Sequence, residues 1–387
     1  MKTLLVAAIA LAVMPYWAMA EEPSQTTKDP LATVVQPFVD SHALAGAVML
    51  VANKDRVLAL STAGYADIGA NKQMPKDALF WIASESKPIT ATAFMMLVDE
   101  GKVHLDDPVG KYLPEFYNVW LKVEQSSDHI LLKRPHHAIT IREILSHTSG
   151  LPFMSPMEQP TLDHLPLRDS VLSYAMTPLE YEPGTKYQYS NAGINTAGRI
   201  IELLSGMPYE KFLSERIFKP LGMKDTTFWP NKRQLTMLAK SYAPNEQKDD
   251  LKEITVSQLK YPLDGPGRYP MPAGGLFSTA SDLGRFGQMI LNGGTFGGKR
   301  YVSEASIHEM TRKQTADSIP DSYGLGWGTY GGNFGHGGAY STNLQIDTHN
   351  GLVLVWMVQH AGFPKNGDQS FGAFQKAAIE RFGSTSK

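Results

Sequence analysis

Apolar and polar positions follow two different periods along this chain, and the period changes divide it. Residues 30–42 carry Leu31, Val34, Val35 and Phe38 at helical spacing, which predicts an amphipathic helix. Residues 45–51 and 56–62 are apolar, β-prone runs. Asn53, Lys54 and Asp55 lie between them, so the pair predicts a hairpin. Residues 78–82 read as a further strand. Residues 88–100 read as a helix with Ile89, Ala93, Leu97 and Val98 recurring, stopped by Gly101.

The middle of the chain is mostly helical in pattern. Thr140 caps a short helix over 141–147, and Asp169 or Ser170 opens another around 171–175. A helix over 191–205 is ended by Gly206, 209–218 follows it, and Ser278 or Ser281 begins one ending near Gly293. The connections 151–166 and 261–272 are rich in proline and too long to be plain linkers, a length that points to function. Strand patterns then return over 323–330, 333–336, 342–347 and 352–359. His349-Asn350-Gly351 serves as a hairpin turn, and 369–382 closes the chain as a helix. Strands at both ends with helices between predict one sheet assembled from distant segments and an inserted helical region. The expected division is an α/β part over 30–85 and 278–387 and a helical part over 86–277.

The N-terminus has a separate character. Lys2 precedes an apolar run over 4–13, then Pro15 and the small-x-small site Ala18-Met19-Ala20, followed by Glu21 and Glu22. This three-part pattern is that of a secretory signal over 1–20, cleaved after Ala20. The run is too short to span a bilayer core of roughly 30 Å. Residues 21–29 read as a disordered lead-in. A periplasmic or secreted protein with no stable membrane anchor after cleavage is expected. The sequence contains no cysteine, which excludes disulfides and thiolate chemistry. The 387 residues are enough to build a large core without them. The net charge of -2 gives no reason to expect nucleic acid as a partner.

Chemistry concentrates in three separated stretches. Ser84-Glu85-Ser86-Lys87 puts a hydroxyl and an amine one turn apart at a helix start. Serine needs a base to act as a nucleophile, and lysine becomes one when burial or nearby positive charge lowers its pKa. The plainer reading is a capping Ser84, or Ser86, with a solvated Lys87. Tyr189-Ser190-Asn191 offers a phenol able to relay protons and an amide able to hold both a lysine and a carbonyl. Its plainer reading is an N-cap Asn191 beside a half-buried aromatic. His336-Gly337-Gly338-Ala339 would let a strand pass close to substrate. The N–H of Ala339 would then join that of Ser84 as an oxyanion hole. A glycine-rich hairpin corner is the plainer alternative.

Taken together and in this order, the three stretches resemble the β-lactamase and penicillin-binding-protein superfamily. The Tyr-x-Asn middle motif is similar to that of the class C β-lactamase, D,D-carboxypeptidase and family VIII esterase group. Further segments share the resemblance: 145–152 (Leu-Ser-His-Thr-Ser-Gly-Leu-Pro), 220–227, 272–279 and 323–327. The resemblance implies an α/β (α+β) β-lactamase/transpeptidase-like fold, an antiparallel sheet flanked by helices with an inserted helical subdomain. It implies Ser84 as the acylated nucleophile, Lys87 as base or pKa modulator, and Tyr189 as the second proton-transfer group. Asn191, His336, Gly338 and Ala339 would bind substrate. Whether Lys87 or Tyr189 takes the serine proton is left open. No cofactor or metal is implied.

His336-Gly337 departs from the Lys-Thr-Gly that would hold a carboxylate in this group. The charge at 336 is then expected to be weaker and pH-dependent. That moves the expected substrates from β-lactams toward small esters, amides and D-amino-acid peptides. Arg268 is a candidate replacement anchor, its alternative being a solvated loop arginine. Trp81, Tyr181, Tyr187 and Trp327 are candidates to line the cleft or to pack the core. His147 reads as structural. His136, His137 and His308 lack the spacing of zinc ligands and read as surface residues. Gly324, Gly326 and Gly328 sit within the predicted strand and do not form a dinucleotide loop. The expected activity is an exported serine hydrolase working through an acyl-enzyme. A true β-lactamase and a non-turnover penicillin-binding or muropeptide-binding sensor are the rivals.

Overall fold

The computed structural model describes residues 29–383. The predicted signal, residues 21–28 of the lead-in and residues 384–387 lie outside the described residues. From the N-terminal part come strands β1 (Gly46–Ala52), β2 (Val57–Asp67) and β3 (Lys72–Gln73). From the C-terminal part come β4 (Gly328–Tyr330), β5 (Asn333–Gly337), β6 (Asn343–Asp347) and β7 (Leu352–Met357). They form one antiparallel sheet in the order β4-β5-β6-β7-β1-β2-β3. The chain's two ends meet at β1 and β7, where Leu50 pairs with Val355.

The helices that set the layers are α1 (Pro30–Asp40), α2 (Ser86–Asp99), α3 (Asn191–Ser205), α4 (Ala280–Leu291) and α5 (Ser370–Phe382). Every residue of β1 and β7 is buried, because helices cover both faces of the sheet. The strand period of two then sorts side chains between two cores. Ala47, Met49 and Val51 join Leu354 and Trp356 beneath α1 and α5. Val48 and Leu50 join Val353 and Val355 on the side of α4 and the helical region. Gly287 brings α4 close to this face, since a Cβ there would collide with Val353. Helix α2 is buried from Ser86 to Leu97, as a helix with neighbours on all sides must be. It packs against α3 and the helix Glu304–Thr311.

Several boundaries differ from expectation for identifiable reasons. The stretch 86–277 is not uniformly helical. It contains the hairpins Leu121–Gln125 with Ile130–Lys133 and Ser241–Pro244 with Leu251–Ile254. The expected strand 78–82 reduces to Phe80–Trp81, which pairs with Phe277–Ser278. The helix expected from Asp169 or Ser170 begins at Leu167, with Pro166 before it and no side-chain cap. α4 is capped by Thr279 rather than Ser278 or Ser281. Strand β4 starts only at Gly328, because Gly326 turns with φ +72° against α2. A Cβ at Gly326 would lie 2.9 Å from the Lys87 carbonyl oxygen, so only glycine lets this segment pass. Gly206 ends α3 in the left-handed conformation as expected.

Candidate active site

Ser84 lies in a single tight turn, Ala83–Glu85, between the Phe80–Trp81 strand and α2. Ala83 adopts φ +45°, a conformation few L-residues take, so the turn is held by its surroundings. Ser86 supplies part of that hold. Its Oγ donates to the Ala83 carbonyl at 2.7 Å and accepts from Leu276 N–H at 3.2 Å. Neither Ser84 nor Ser86 makes a capping bond to α2, so the capping alternative does not apply. Glu85 points away from the cleft and is completely buried. Burial pushes its carboxyl pKa well up, opposed by the Thr342 hydroxyl.

Lys87 follows one turn later and is fully buried. Its Nζ lies 3.1 Å from Ser84 Oγ, 2.8 Å from Asn191 Oδ1 and 2.7 Å from the Ala273 carbonyl oxygen. No carboxylate among the described residues pairs with it. Burial alone lowers its pKa well below the usual lysine value. A neutral amine has two N–H donors and one lone pair. Asn191 and Ala273 take the two donors, which leaves the lone pair for the Ser84 hydroxyl proton.

Asn191 opens α3 without capping it. Ser190 is the cap, its Oγ accepting from Gly193 N–H. With Oδ1 committed to Lys87, the Asn191 NH2 group is the part left for a substrate carbonyl. The Tyr189 ring lies 4.5 Å from Lys87 Nζ. Burial pushes its phenol pKa up, and the neighbouring Ser84 hydroxyl opposes that push. The phenol oxygen is 3.5 Å from His336 Nε2.

His336 differs from expectation. Its Nδ1 contacts the Gly337 carbonyl at 2.8 Å, which places the ring proton there. Nε2 is therefore the acceptor, and the Tyr323 hydroxyl donates to it at 2.9 Å. Burial lowers the imidazole pKa to about 3, and Lys87 adds to the shift whenever it is protonated. The pH-dependent charge expected at this position is thus absent at ordinary pH. Gly338 presses its backbone against Thr342 and Ile82, where a side chain would collide. Beyond it, the Ala339 N–H and the Ser84 N–H donate to no other described residue, so both are available to an oxyanion.

Arg268 is neither a carboxylate anchor nor a solvated loop residue. It is 5 % exposed, with Nε 2.7 Å from Asp163 Oδ2 and Nη1 bonded to the Phe228 and Leu263 carbonyls. The pair joins the two long connections, whose Leu162 and Met271 wall a cleft of ≈ 490 Å³. Ser84, Tyr189, Asn191, His336, Gly338 and Ala339 line the same cleft, with Trp81, Phe153 and Gln258. Trp327 instead stacks on Phe286 in the core, and Tyr181 and Tyr187 contact His147 rather than lining the cleft. His136, His137 and His308 are exposed. Among the described residues, no group of three or more His, Asp or Glu side chains is arranged to hold a metal.

Some supporting groups were not read from the sequence. Asn195 Oδ1 accepts from Ala273 N–H at 2.9 Å. Thr90 Oγ1 lies 2.8 Å from the Pro272 carbonyl and 2.6 Å from Tyr209 Oη. Together they fix the carbonyl that holds Lys87. The signal for Asn195 was its place one turn after Asn191 on the same helix face.

The family model described as Beta-lactamase matches residues 31–376. The chain is 31% identical to an uncharacterized protein of Mycobacterium tuberculosis over 84% of this chain and 88% of that one. Among solved structures it is similar to EstCE1, a hydrolase with promiscuous acyltransferase activity. The TM-score is 0.73 at 24% identity, covering 90% of this chain and 97% of that one. It is also similar to unliganded simvastatin synthase (LovD) of Aspergillus terreus. There the TM-score is 0.76 at 20% identity, covering 92% and 100%. At these identities the two structures speak to the fold.

Proposed function

The chain belongs to the Beta-lactamase family, whose members are serine hydrolases, and we propose that this member is an exported hydrolase acting through an acyl-enzyme on Ser84. The observation that carries the reading is the Lys87 amine, 3.1 Å from Ser84 Oγ and held on its other sides by two neutral acceptors. In the neutral form, Lys87 accepts the Ser84 proton while Oγ attacks the substrate carbonyl. The oxyanion receives hydrogen bonds from the Ser84 and Ala339 N–H groups, which are preorganised by the strained turn and by Gly338. The Asn191 amide orients the carbonyl. Lys87 and Tyr189, whose ring lies 4.5 Å from the amine, return the proton to the leaving group and then activate water for deacylation. The first proton is assigned to Lys87 because its lone pair faces the hydroxyl.

The cleft favours small esters, amides and D-amino-acid peptides without a carboxylate to be anchored. His336 is neutral, and Arg268 is bound up with Asp163. Export rests on the signal pattern ending at Ala20. Two measurements test the reading. Short p-nitrophenyl esters should turn over faster than a chromogenic cephalosporin, with the reverse order pointing to a β-lactamase. A fluorescent phosphonate should label the wild type and not Ser84→Ala, and equal labelling of both removes Ser84 as nucleophile. A one-equivalent burst with no turnover on any substrate would instead indicate a binding protein or sensor.

A further inference from the structure

His147 takes no direct part in the chemistry above, yet it is among the most constrained residues near the site. It follows the short helix Ile141–Leu145 and adopts φ +61°, a left-handed conformation uncommon for L-residues, in which asparagine, aspartate and histidine are the most frequent exceptions. Its side chain is fully buried. Nδ1 accepts a hydrogen bond from Ser190 N–H at 3.2 Å, so the ring proton sits on Nε2. That Nε2–H has no hydrogen-bond partner. It is enclosed by aromatic rings, with Tyr189 at 4.5 Å and Tyr323 at 4.6 Å between centroids. The His147 carbonyl accepts from Gln188 N–H at 2.9 Å and from the Tyr181 hydroxyl at 3.1 Å. One residue therefore grips the chain on both sides of Tyr189, at Gln188 and at Ser190, and also packs against its ring.

An unpaired buried donor in a strained conformation is costly to keep and calls for a compensating role. His147 does not line the cleft, and neither ring nitrogen bonds to Ser84, Lys87, Tyr189 or Asn191, so it acts through another residue. We propose that His147 is a positioning residue for Tyr189: its Nδ1 bond to Ser190 N–H and its ring contact with Tyr189 hold the phenol at the distance from Lys87 and Ser84 that proton transfer needs. This rests on the reading of Tyr189 as a proton-transfer group. The Nδ1 acceptor is the essential element, because Ser190 N–H joins Tyr189 directly to the start of α3.

Asparagine is the discriminating substitution. Its Oδ1 reaches the place of Nδ1, and it tolerates the left-handed backbone, whereas phenylalanine keeps a ring and loses the acceptor. For folded protein with unchanged near-ultraviolet circular dichroism, His147→Phe and His147→Ala should lower kcat on a p-nitrophenyl ester about ten- to hundredfold, through misplacement of Tyr189 rather than loss of binding. KM should change little. The rate of phosphonate labelling should fall with kcat, and His147→Asn should restore most of both. The proposal is overturned if His147→Phe matches the wild type, or if His147→Asn is as impaired as His147→Phe. It is likewise overturned if the losses appear in KM alone. Ser84→Ala separates the two levels. Labelling that survives in Ser84→Ala defeats the acyl-enzyme reading, whereas labelling lost there but normal in the His147 variants defeats only this inference.

Discussion

The segment 258–275 deals with two buried basic side chains in opposite ways, carrying Arg268 itself and presenting the Ala273 carbonyl to Lys87. Arg268 meets the carboxylate of Asp163 at 2.7 Å, and backbone carbonyls take its remaining reach. Lys87 meets the Ala273 carbonyl, an amide oxygen and a hydroxyl, with no carboxylate. The first arrangement ties two loops together. In the second, burial has no opposing charge to offset it and lowers the amine pKa. The contrast shows how one protein uses burial for two ends. A buried basic group with a carboxylate partner gives a fixed wall, and one without has the lowered pKa that the proposed mechanism requires of its base.

The strongest way to break this contrast is at Lys87. Lys87→Met should lower kcat about a thousandfold, the scale of lost general-base catalysis. Lys87→Arg should be nearly as impaired although it keeps a cation, because guanidinium does not deprotonate. Steady-state ester hydrolysis checks both, and substantial activity in Lys87→Arg would show that charge rather than basicity matters. At Arg268 the loss should appear in stability. Arg268→Met leaves the Asp163 carboxylate buried and unpaired, at a cost of about 3–5 kcal/mol, and adding Asp163→Asn should recover most of it. Urea unfolding measures this, and failure of the second substitution to compensate would mean the pair holds the loops by shape alone.

The other buried titratable groups without a countercharge extend the rule to pH. His336 and His360 have pKa values lowered to about 3, and burial lowers that of His147 too. Such groups bind more protons unfolded than folded. Stability should therefore fall as pH drops from about 6.5, by up to about 1.4 kcal/mol per pH unit for each. Melting temperatures that hold steady from pH 7 to 4.5 would contradict it. Glu85 has the opposite sign. Its raised folded pKa means that its contribution is complete below the unfolded value of about 4.5 and is lost as pH rises through the raised one. Glu85→Gln should gain on the wild type in melting temperature as pH increases. A gap independent of pH would mean that the carboxyl is not neutral in the fold.

The sheet and its main helices were legible because their apolar periods are long and their stops are chemically plain, as at Gly101 and Gly206. The motif residues Ser84, Lys87, Tyr189 and Asn191 were legible as a set because order and spacing along the chain carried them. Three features were not. The hairpin at Leu121–Gln125 and Ile130–Lys133 has mixed polarity and exposes Ile130 and Leu131, so its pattern does not separate inside from outside. Arg268 looked like a loop residue because its partner, Asp163, lies 105 positions away. His336 was read as a titrating charge, since nothing in sequence reveals that Tyr323 and a closed environment surround it.

The mechanism proposed for Ser84 requires the Lys87 amine to be neutral at working pH and to take the Ser84 proton. Carbon-13 NMR of lysine-labelled protein, titrated from pH 5 to 11 with a Lys87 variant to assign the signal, reads that amine directly. A Lys87 midpoint well below 10.5 is expected, shared with the acid limb of Ser84 labelling by the phosphonate. A Lys87 signal that stays charged beyond pH 10 while labelling proceeds at full rate would contradict it.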